Sequence, residues 1–239
     1  MIELKNIRIG YGAQLLVTGA NAVFPQSSLT SLIGRNGAGK STLLRAIAGI
    51  GKIMDGEIIV DEKPRFESAI ERAKSIAFVN TQRVKIANMR CRDLVGLGRA
   101  PYTDWVGHLS KRDNEIITTS LELVGMKDYV DRTLDTMSDG ECQRIMIARA
   151  LAQDTPNILL DEPTSFLDLP NRYQLMELLG DLAHNHGKTI LLSTHELDIA
   201  LSKGDNIALI DTPELKILPT SDAHTRDVVA TAFGIDNLF

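Results

Sequence analysis

The sequence predicts an α/β fold built on a largely parallel sheet covered by helices on both faces. Three observations predict it. Short apolar runs recur at 28–33, 56–60, 75–79, 157–161, 189–193 and 206–210, the size of buried strands. Stretches with helical spacing stand between several of them. A continuous helical pattern then fills the interval from about Met89 to Ala152. Strands alternating with helices imply parallel neighbours joined by crossovers, which bury the sheet on both sides.

Taken in order, residues 2–9 alternate apolar and polar (Ile2, Leu4, Ile7, Ile9), the period of a half-buried strand. Ser28–Ile33 is a short apolar strand that runs into a Gly-rich turn. From Ser41 the spacing of Leu43, Leu44, Ile47 and Ala48 is helical, and Gly49 is its stop. Strands follow at 56–60 and 75–79. In the helical block the apolar positions are Leu94, Val95 and Leu97, then Ile116, Ile117, Leu121 and Val124, then Ile145, Ile147, Ala148 and Leu151. After the strand at 157–161 an amphipathic helix is expected from about 171 to 186, then strands at 189–193 and 206–210. A last strand at Leu215–Leu218 and a short helix at 223–233 complete the pattern.

The 239 residues fit a single domain. With 44% hydrophobic and only 5% aromatic residues, aliphatic side chains must build the core. A formal net charge of -5 shows no overall basic character, so no nucleic-acid partner is expected. Cys91 and Cys142 form neither a disulfide framework nor a metal spacing and read as reduced thiols. The opening MIELKNIRIGYG is interrupted by Glu3, Lys5 and Arg8 and does not read as a signal peptide. No apolar run approaches the ~20 residues of a spanning helix, so any work at a membrane requires recruitment by a partner.

The segment Gly34-Arg35-Asn36-Gly37-Ala38-Gly39-Lys40-Ser41 matches G-x-x-x-x-G-K-[ST] in full. Glycines let such a loop wrap so that successive N–H groups face phosphate oxygens, and the following helix adds its positive end. Lys40 would reach the β- and γ-phosphates and the Ser41 hydroxyl would ligate Mg²⁺. Chance would supply the four fixed positions in roughly one chain in a hundred of this length. The apolar strand before the loop and the helix after it make the match more specific than that.

Asn157-Ile158-Leu159-Leu160-Asp161-Glu162 is an apolar strand ending in two carboxylates. Beside a phosphate-binding loop, Asp161 is placed next to Mg²⁺, directly or through water. Glu162 should point elsewhere, since successive strand side chains alternate faces. It would accept a proton from the water that attacks the γ-phosphate, or orient that water.

Further pieces stand in a fixed order around these two. Tyr11-Gly12 follows the first strand, and Gln82 follows the strand at 75–79. Met137-Ser138-Asp139-Gly140-Glu141-Cys142-Gln143-Arg144 opens a helix before the acidic strand. Pro163-Thr164-Ser165-Phe166-Leu167-Asp168 comes after it, and His195 follows the strand at 189–193. This set resembles the ATP-binding-cassette ATPases over nearly the whole chain. The resemblance implies a P-loop NTPase core with a mostly parallel sheet, an antiparallel N-terminal β portion and an inserted helical subdomain. The core would be 1–87 and 154–239, and the helical subdomain 88–153.

The resemblance also implies roles. Tyr11 would stack on adenine, and residues 34–41 with Thr42 would hold the triphosphate. Gln82 would sense Mg²⁺ or the lytic water. Ser138, the Gly140 N–H and Glu141 would meet the nucleotide of a second copy, with Asp168 at the interface. His195 would hold the γ-phosphate, Glu162 and the water in place. The cofactors are then ATP and Mg²⁺, and the working unit is a head-to-tail homodimer with two sandwiched ATPs. Where relatives carry L-S-G-G-Q this chain has Met137-Ser138-Asp139-Gly140-Glu141. Asp139 would repel a γ-phosphate and is expected to point away from it. Cys142 reads as a packed thiol rather than a redox group.

Gly98-Arg99-Ala100-Pro101, Trp105-Val106-Gly107 and Ser110-Lys111-Arg112-Asp113 are similar to the helical subdomain of importers for iron–siderophore, haem or cobalamin complexes. Ser110 with Asp113 is also a helix-start pattern. The expected function is therefore ATP hydrolysis coupled to import, at the cytoplasmic face of the membrane. Permease subunits would be the direct partners and a substrate-binding protein an indirect one. A cassette ATPase for repair or iron–sulfur assembly, or an ATP-binding switch with little hydrolysis, is the alternative reading.

Overall fold

The structure is a computed structural model that describes residues 1–11, 14–64, 66–81 and 86–235, with the side chain of Tyr11 outside the description. The chain opens with β1 (Ile2–Tyr11), β2 (Gln14–Phe24), β3 (Leu29–Gly34), α1 (Lys40–Ile47), β4 (Asp55–Val60), α2 (Ala69–Ser75) and β5 (Ile76–Val79). The helical block holds α3 (Cys91–Gly96), a 3-10 turn at Leu97–Tyr102, α4 (Lys111–Leu123) and α5 (Asp139–Ala152). Then come β6 (Asn157–Asp161), α6 (Leu169–His184), β7 (Thr189–Ser193), α7 (Leu197–Lys203), β8 (Asn206–Asp211), β9 (Glu214–Pro219) and α8 (His224–Phe233).

Among the described residues the strands form two sheets. β2-β1-β4 is antiparallel, and β5-β6-β7-β3-β8-β9 is parallel except for the β8–β9 pair. Every residue of β3, β6 and β7 is buried, as expected of strands with both faces covered. The strand period sorts their side chains. Ile158, Leu160, Ile190 and Leu192 pack toward α3, α4, α5 and α6. Leu159, Leu191 and Leu32 pack with α1 and the antiparallel sheet. The parallel order brings the C-terminal ends of β3, β6 and β7 side by side, where α/β sheets hold their ligands.

The sequence pattern does not mark β2 as a strand. Its register against β1 shifts between Leu4 and Ile7, Ile7 and Ile9, and Ile9 and Gly10. Each shift breaks the period-2 pattern that makes a strand visible in sequence. α2 and α7, seven residues each, are too short to show a helical period. The last strand and helix fall where the sequence places them, at β9 and α8.

The segment 98–113 has a structural account. A Cβ on Gly98 would lie 2.3 Å from the Arg149 carbonyl oxygen, so the close passage against α5 requires glycine. Arg99 is buried, donates from Nε to Asp113 Oδ1 (2.8 Å) and from Nη1 to Ala152 O (2.8 Å), and stacks on Tyr102. Asp113 closes a capping box with Ser110 at the start of α4. One guanidinium thereby joins the 3-10 turn, the start of α4 and the end of α5. Among the described residues no helix is long and apolar enough to cross a membrane.

Candidate nucleotide site

β3 delivers the chain to the loop 34–39, and α1 begins directly at Lys40. Its N-cap is Gly39 at φ +103°, with no side chain capping the helix. The first N–H groups of α1 therefore lack a side-chain acceptor, the arrangement an anion completes. The left-handed turn at Gly39 would strain any residue with a Cβ.

Lys40 folds back over the loop and donates from Nζ to the Gly34 carbonyl oxygen at 2.9 Å. It is only 7% exposed. Burial holds its amine below the usual lysine range, while Glu162 and then Asp161 pull it back up. An ammonium facing two carboxylates across the loop mouth is a charge arrangement suited to a polyphosphate with a divalent cation.

Asp161 ends β6 and is buried. Its Oδ1 accepts from Ser41 Oγ at 2.8 Å and from Ser193 Oγ at 2.7 Å. Its backbone carbonyl accepts from Thr81 Oγ1 at 2.9 Å. Ser193 also takes the N–H of Glu162 (2.8 Å) and so orients both acids at once. Neither Ser193 nor Thr81 was singled out in the sequence. The register itself pairs Asp161 with Ser193 across β6 and β7, but a strand-end serine carries no motif.

Strand alternation does not govern the Glu162 side chain. The residue lies beyond β6, and its backbone turns left-handed at φ +46°. That conformation is costly for a residue with a Cβ. Glu162 Oε2 accepts from Ser165 Oγ at 2.9 Å and stands 3.9 Å from His195 Nδ1. The ring of His195 is 51% exposed beside the acid. The structure thus brings Lys40, Ser41, Asp161, Glu162 and His195 to one end of the parallel sheet. Gln82 lies outside the described residues, as does the Tyr11 side chain.

The segment at 137–144 starts a helix as expected, with Ser138 as the N-cap of α5. Glu141 closes a capping box on it. Glu141 Oε2 accepts from the Ser138 N–H (2.8 Å) and from Ser138 Oγ (2.9 Å). The Ser138 N–H is the main influence holding this carboxyl below the usual glutamate range. Arg132 stands 3.9 Å from its other oxygen. The chain's glutamate in place of glutamine therefore presses a negative charge against the Ser138 hydroxyl. Asp168 is the N-cap of α6, with Oδ1 accepting from Asn171 N (3.1 Å) and Nδ2 (2.6 Å). Cys142 is buried, and burial pushes the Cys91 thiol up to about 11, so both read as packing groups.

Comparison with known proteins decides the family. The family model for ABC transporters matches residues 17–165, from β2 through the turn after the acidic strand. The chain belongs to the ABC transporter family. This ABC ATPase is 41% identical over 216 residues to an uncharacterized ABC transporter ATP-binding protein of Methanocaldococcus jannaschii, covering 88% of this chain and 73% of the relative. It is 34% identical to the achromobactin transport ATP-binding protein of Dickeya dadantii, covering 98% of this chain and 88% of that one. Identity and coverage are the same against the iron(3+)-hydroxamate import ATP-binding protein of Bacillus subtilis. Among solved structures it is similar to a transporter described as of metal-chelate type in an inward-facing conformation. That match has a TM-score of 0.85 and 27% identity, covering 98% of this chain and 88% of that one. A dimeric cassette with bound ADP and phosphate in a post-hydrolysis state matches at TM-score 0.77 and 26% identity, covering 93% and 100%. The ABC ATPase binds and hydrolyses ATP.

Proposed function

We propose that this ABC ATPase is the energy-coupling subunit of an importer for an iron–siderophore, haem or cobalamin-type complex. Two copies would work head to tail, peripheral to the cytoplasmic face of a membrane through permease subunits, with a substrate-binding protein as an indirect partner. The convergence of Lys40, Ser41, Asp161, Glu162 and His195 at one sheet end carries the reading. The names of the Dickeya dadantii and Bacillus subtilis relatives support the cargo class.

Mg²⁺ fits the oxygen pair of Ser41 Oγ and Asp161 Oδ1, 2.8 Å apart, because hard cations take hydroxyl and carboxylate oxygens and share the phosphates. Bound there, it would neutralise charge on the β- and γ-phosphates. The chain's own groups do the rest. Lys40 releases the Gly34 carbonyl and turns to the phosphates. The N–H groups of 34–41 and Thr42 hold the anion, and Tyr11 stacks on adenine. Glu162, held by Ser165, takes a proton from the attacking water or aligns it, with His195 and Gln82 completing its surroundings. Ser138, Gly140 and Glu141 of one copy meet the triphosphate held by the other, next to Asp168.

The helical subdomain 88–153 would move against the core 1–87 and 154–239. The stretch from Gln82 to Arg92 would receive a coupling helix of the permease. ATP then closes the dimer because it contacts both copies, and phosphate release opens it. Reconstitution with candidate permease and substrate-binding subunits for these complexes tests the reading. ATP-dependent uptake of a ferric siderophore, haem or cobalamin into vesicles supports it. Co-purification from solubilised membranes with no permease contradicts it.

A further inference from the structure

The molecule holds a buried acid that the mechanism above leaves unused. Glu196 follows His195 directly and is 8% exposed, and its carboxylate meets no hydrogen bond of good geometry, with the Thr164 hydroxyl beside it favouring its charged form. Its ionic neighbour is Arg172, whose Nη1 lies 2.9 Å from Glu196 Oε1. A buried carboxylate with so few hydrogen bonds depends on its cationic partner, and a buried ion pair is weak evidence of a purely stabilising role. Burial pushes the Glu196 carboxyl up, with Arg172 first and His195 second drawing it back.

Arg172 has a second grip. Its Nε donates to the Leu167 carbonyl oxygen at 2.8 Å, and its backbone N–H donates to Asp168 O at 3.0 Å. One side chain therefore spans the turn that ends in Asp168 and the residue behind His195. The imidazole stands between two acids, with Nε2 4.0 Å from Glu196 Oε1 and Nδ1 3.9 Å from Glu162 Oε2.

We propose that Arg172 and Glu196 are a positioning pair that couples Asp168 to His195, so that docking of a second copy on Asp168 sets the imidazole against Glu162. The proposal rests on the sandwich reading above. It adds the internal link by which dimer contact is felt at the hydrolytic acid. The link is short and partly buried, with Arg172 held at two points, so a shift of the 163–168 turn must move Glu196 and the residue before it.

The test compares Arg172→Met, Glu196→Gln and the double variant in the full chain. Each single change leaves a charge without its partner and is expected to lower Tm, whereas the neutral double variant regains most of it. Rates are counted per site that binds a fluorescent ADP analogue, which keeps unfolded chains out of the comparison. The expected result is a double variant with KM for ATP within about twofold of the parent and kcat per site about tenfold lower, the mark of lost alignment rather than lost binding. Parental kcat per site in the double variant overturns the pair as anything beyond a fold contact. ATP-driven dimerisation in a Glu162→Gln background is scored in parallel. Its loss condemns the sandwich reading, and its persistence alongside parental kcat in the double variant condemns the positioning pair alone.

Discussion

Ser193 donates its hydroxyl hydrogen to Asp161 Oδ1 at 2.7 Å, joining the ends of neighbouring parallel strands at the acid proposed to hold Mg²⁺. The Ser193 hydroxyl oxygen in turn accepts the N–H of Glu162. Ser193→Ala therefore leaves that N–H without its partner and frees Asp161 on one side. The expected cost is about 1–3 kcal/mol of stability. The Mg²⁺ concentration for half-maximal ATPase should rise several-fold. Denaturant unfolding and a Mg²⁺ titration of phosphate release check both.

Lys40 rests on the Gly34 carbonyl with two acids nearby. Removing the ammonium leaves the loop's N–H groups but deletes the charge proposed to meet the β- and γ-phosphates. Lys40→Ala should lower kcat by on the order of 10²-fold or more. ATP affinity should fall as well, read by fluorescent-nucleotide titration.

Glu141 places a carboxylate, ionised at neutral pH, on the Ser138 hydroxyl. That charge would oppose an arriving γ-phosphate by about 1 kcal/mol in a partly solvated setting. Glu141→Gln keeps an acceptor for the Ser138 N–H and removes the repulsion. It should lower the ATP concentration for half-maximal hydrolysis by about fivefold. Glu141→Ala should instead lose the cap, at about 1 kcal/mol of stability. Steady-state kinetics and thermal melts on the two variants separate the effects.

Asp113 links folding to acid. Hydrogen bonds from Ser110 and then Arg99 hold its carboxyl down from the ordinary 3.8 to about 2. The unfolded chain therefore binds this proton more readily than the folded one. The stabilisation, ~2 kcal/mol, is fully present above about pH 4 and is lost as pH falls toward 2. Asp113→Asn should flatten that part of the stability curve and lower stability at neutral pH. Urea unfolding between pH 2 and 7 reads it.

The sequence made the phosphate loop and the acidic strand legible because chemistry fixes their spacing. Glycines, Lys40 and Ser41 must stand at set intervals, and Asp161 must end an apolar strand. The strand period predicted the parallel core for the same reason. β2 was hidden because its register shifts scramble the alternation. Ser193 and Thr81 were hidden because a hydroxyl at a strand end has no neighbour in sequence to announce it. Alternation predicts a separate direction for Glu162, but the residue lies beyond the strand with its backbone turned left-handed. The Arg172–Glu196 pair joins distant segments that only the fold brings together. The stretch 98–113, matched as a subgroup pattern, is also a packing unit around Arg99.

The central claim is that a nucleotide held by Lys40 of one copy is completed by Ser138 of another. Glu162→Gln removes the acid proposed to serve the attacking water while leaving the proposed phosphate contacts intact, so bound ATP should persist. Sedimentation of this variant is the direct measurement. With saturating Mg-ATP it should run as a dimer that reverts to monomer when Ser138 is also changed to Arg. A Glu162→Gln protein that stays monomeric with saturating Mg-ATP, or a dimer indifferent to the change at Ser138, would contradict the account.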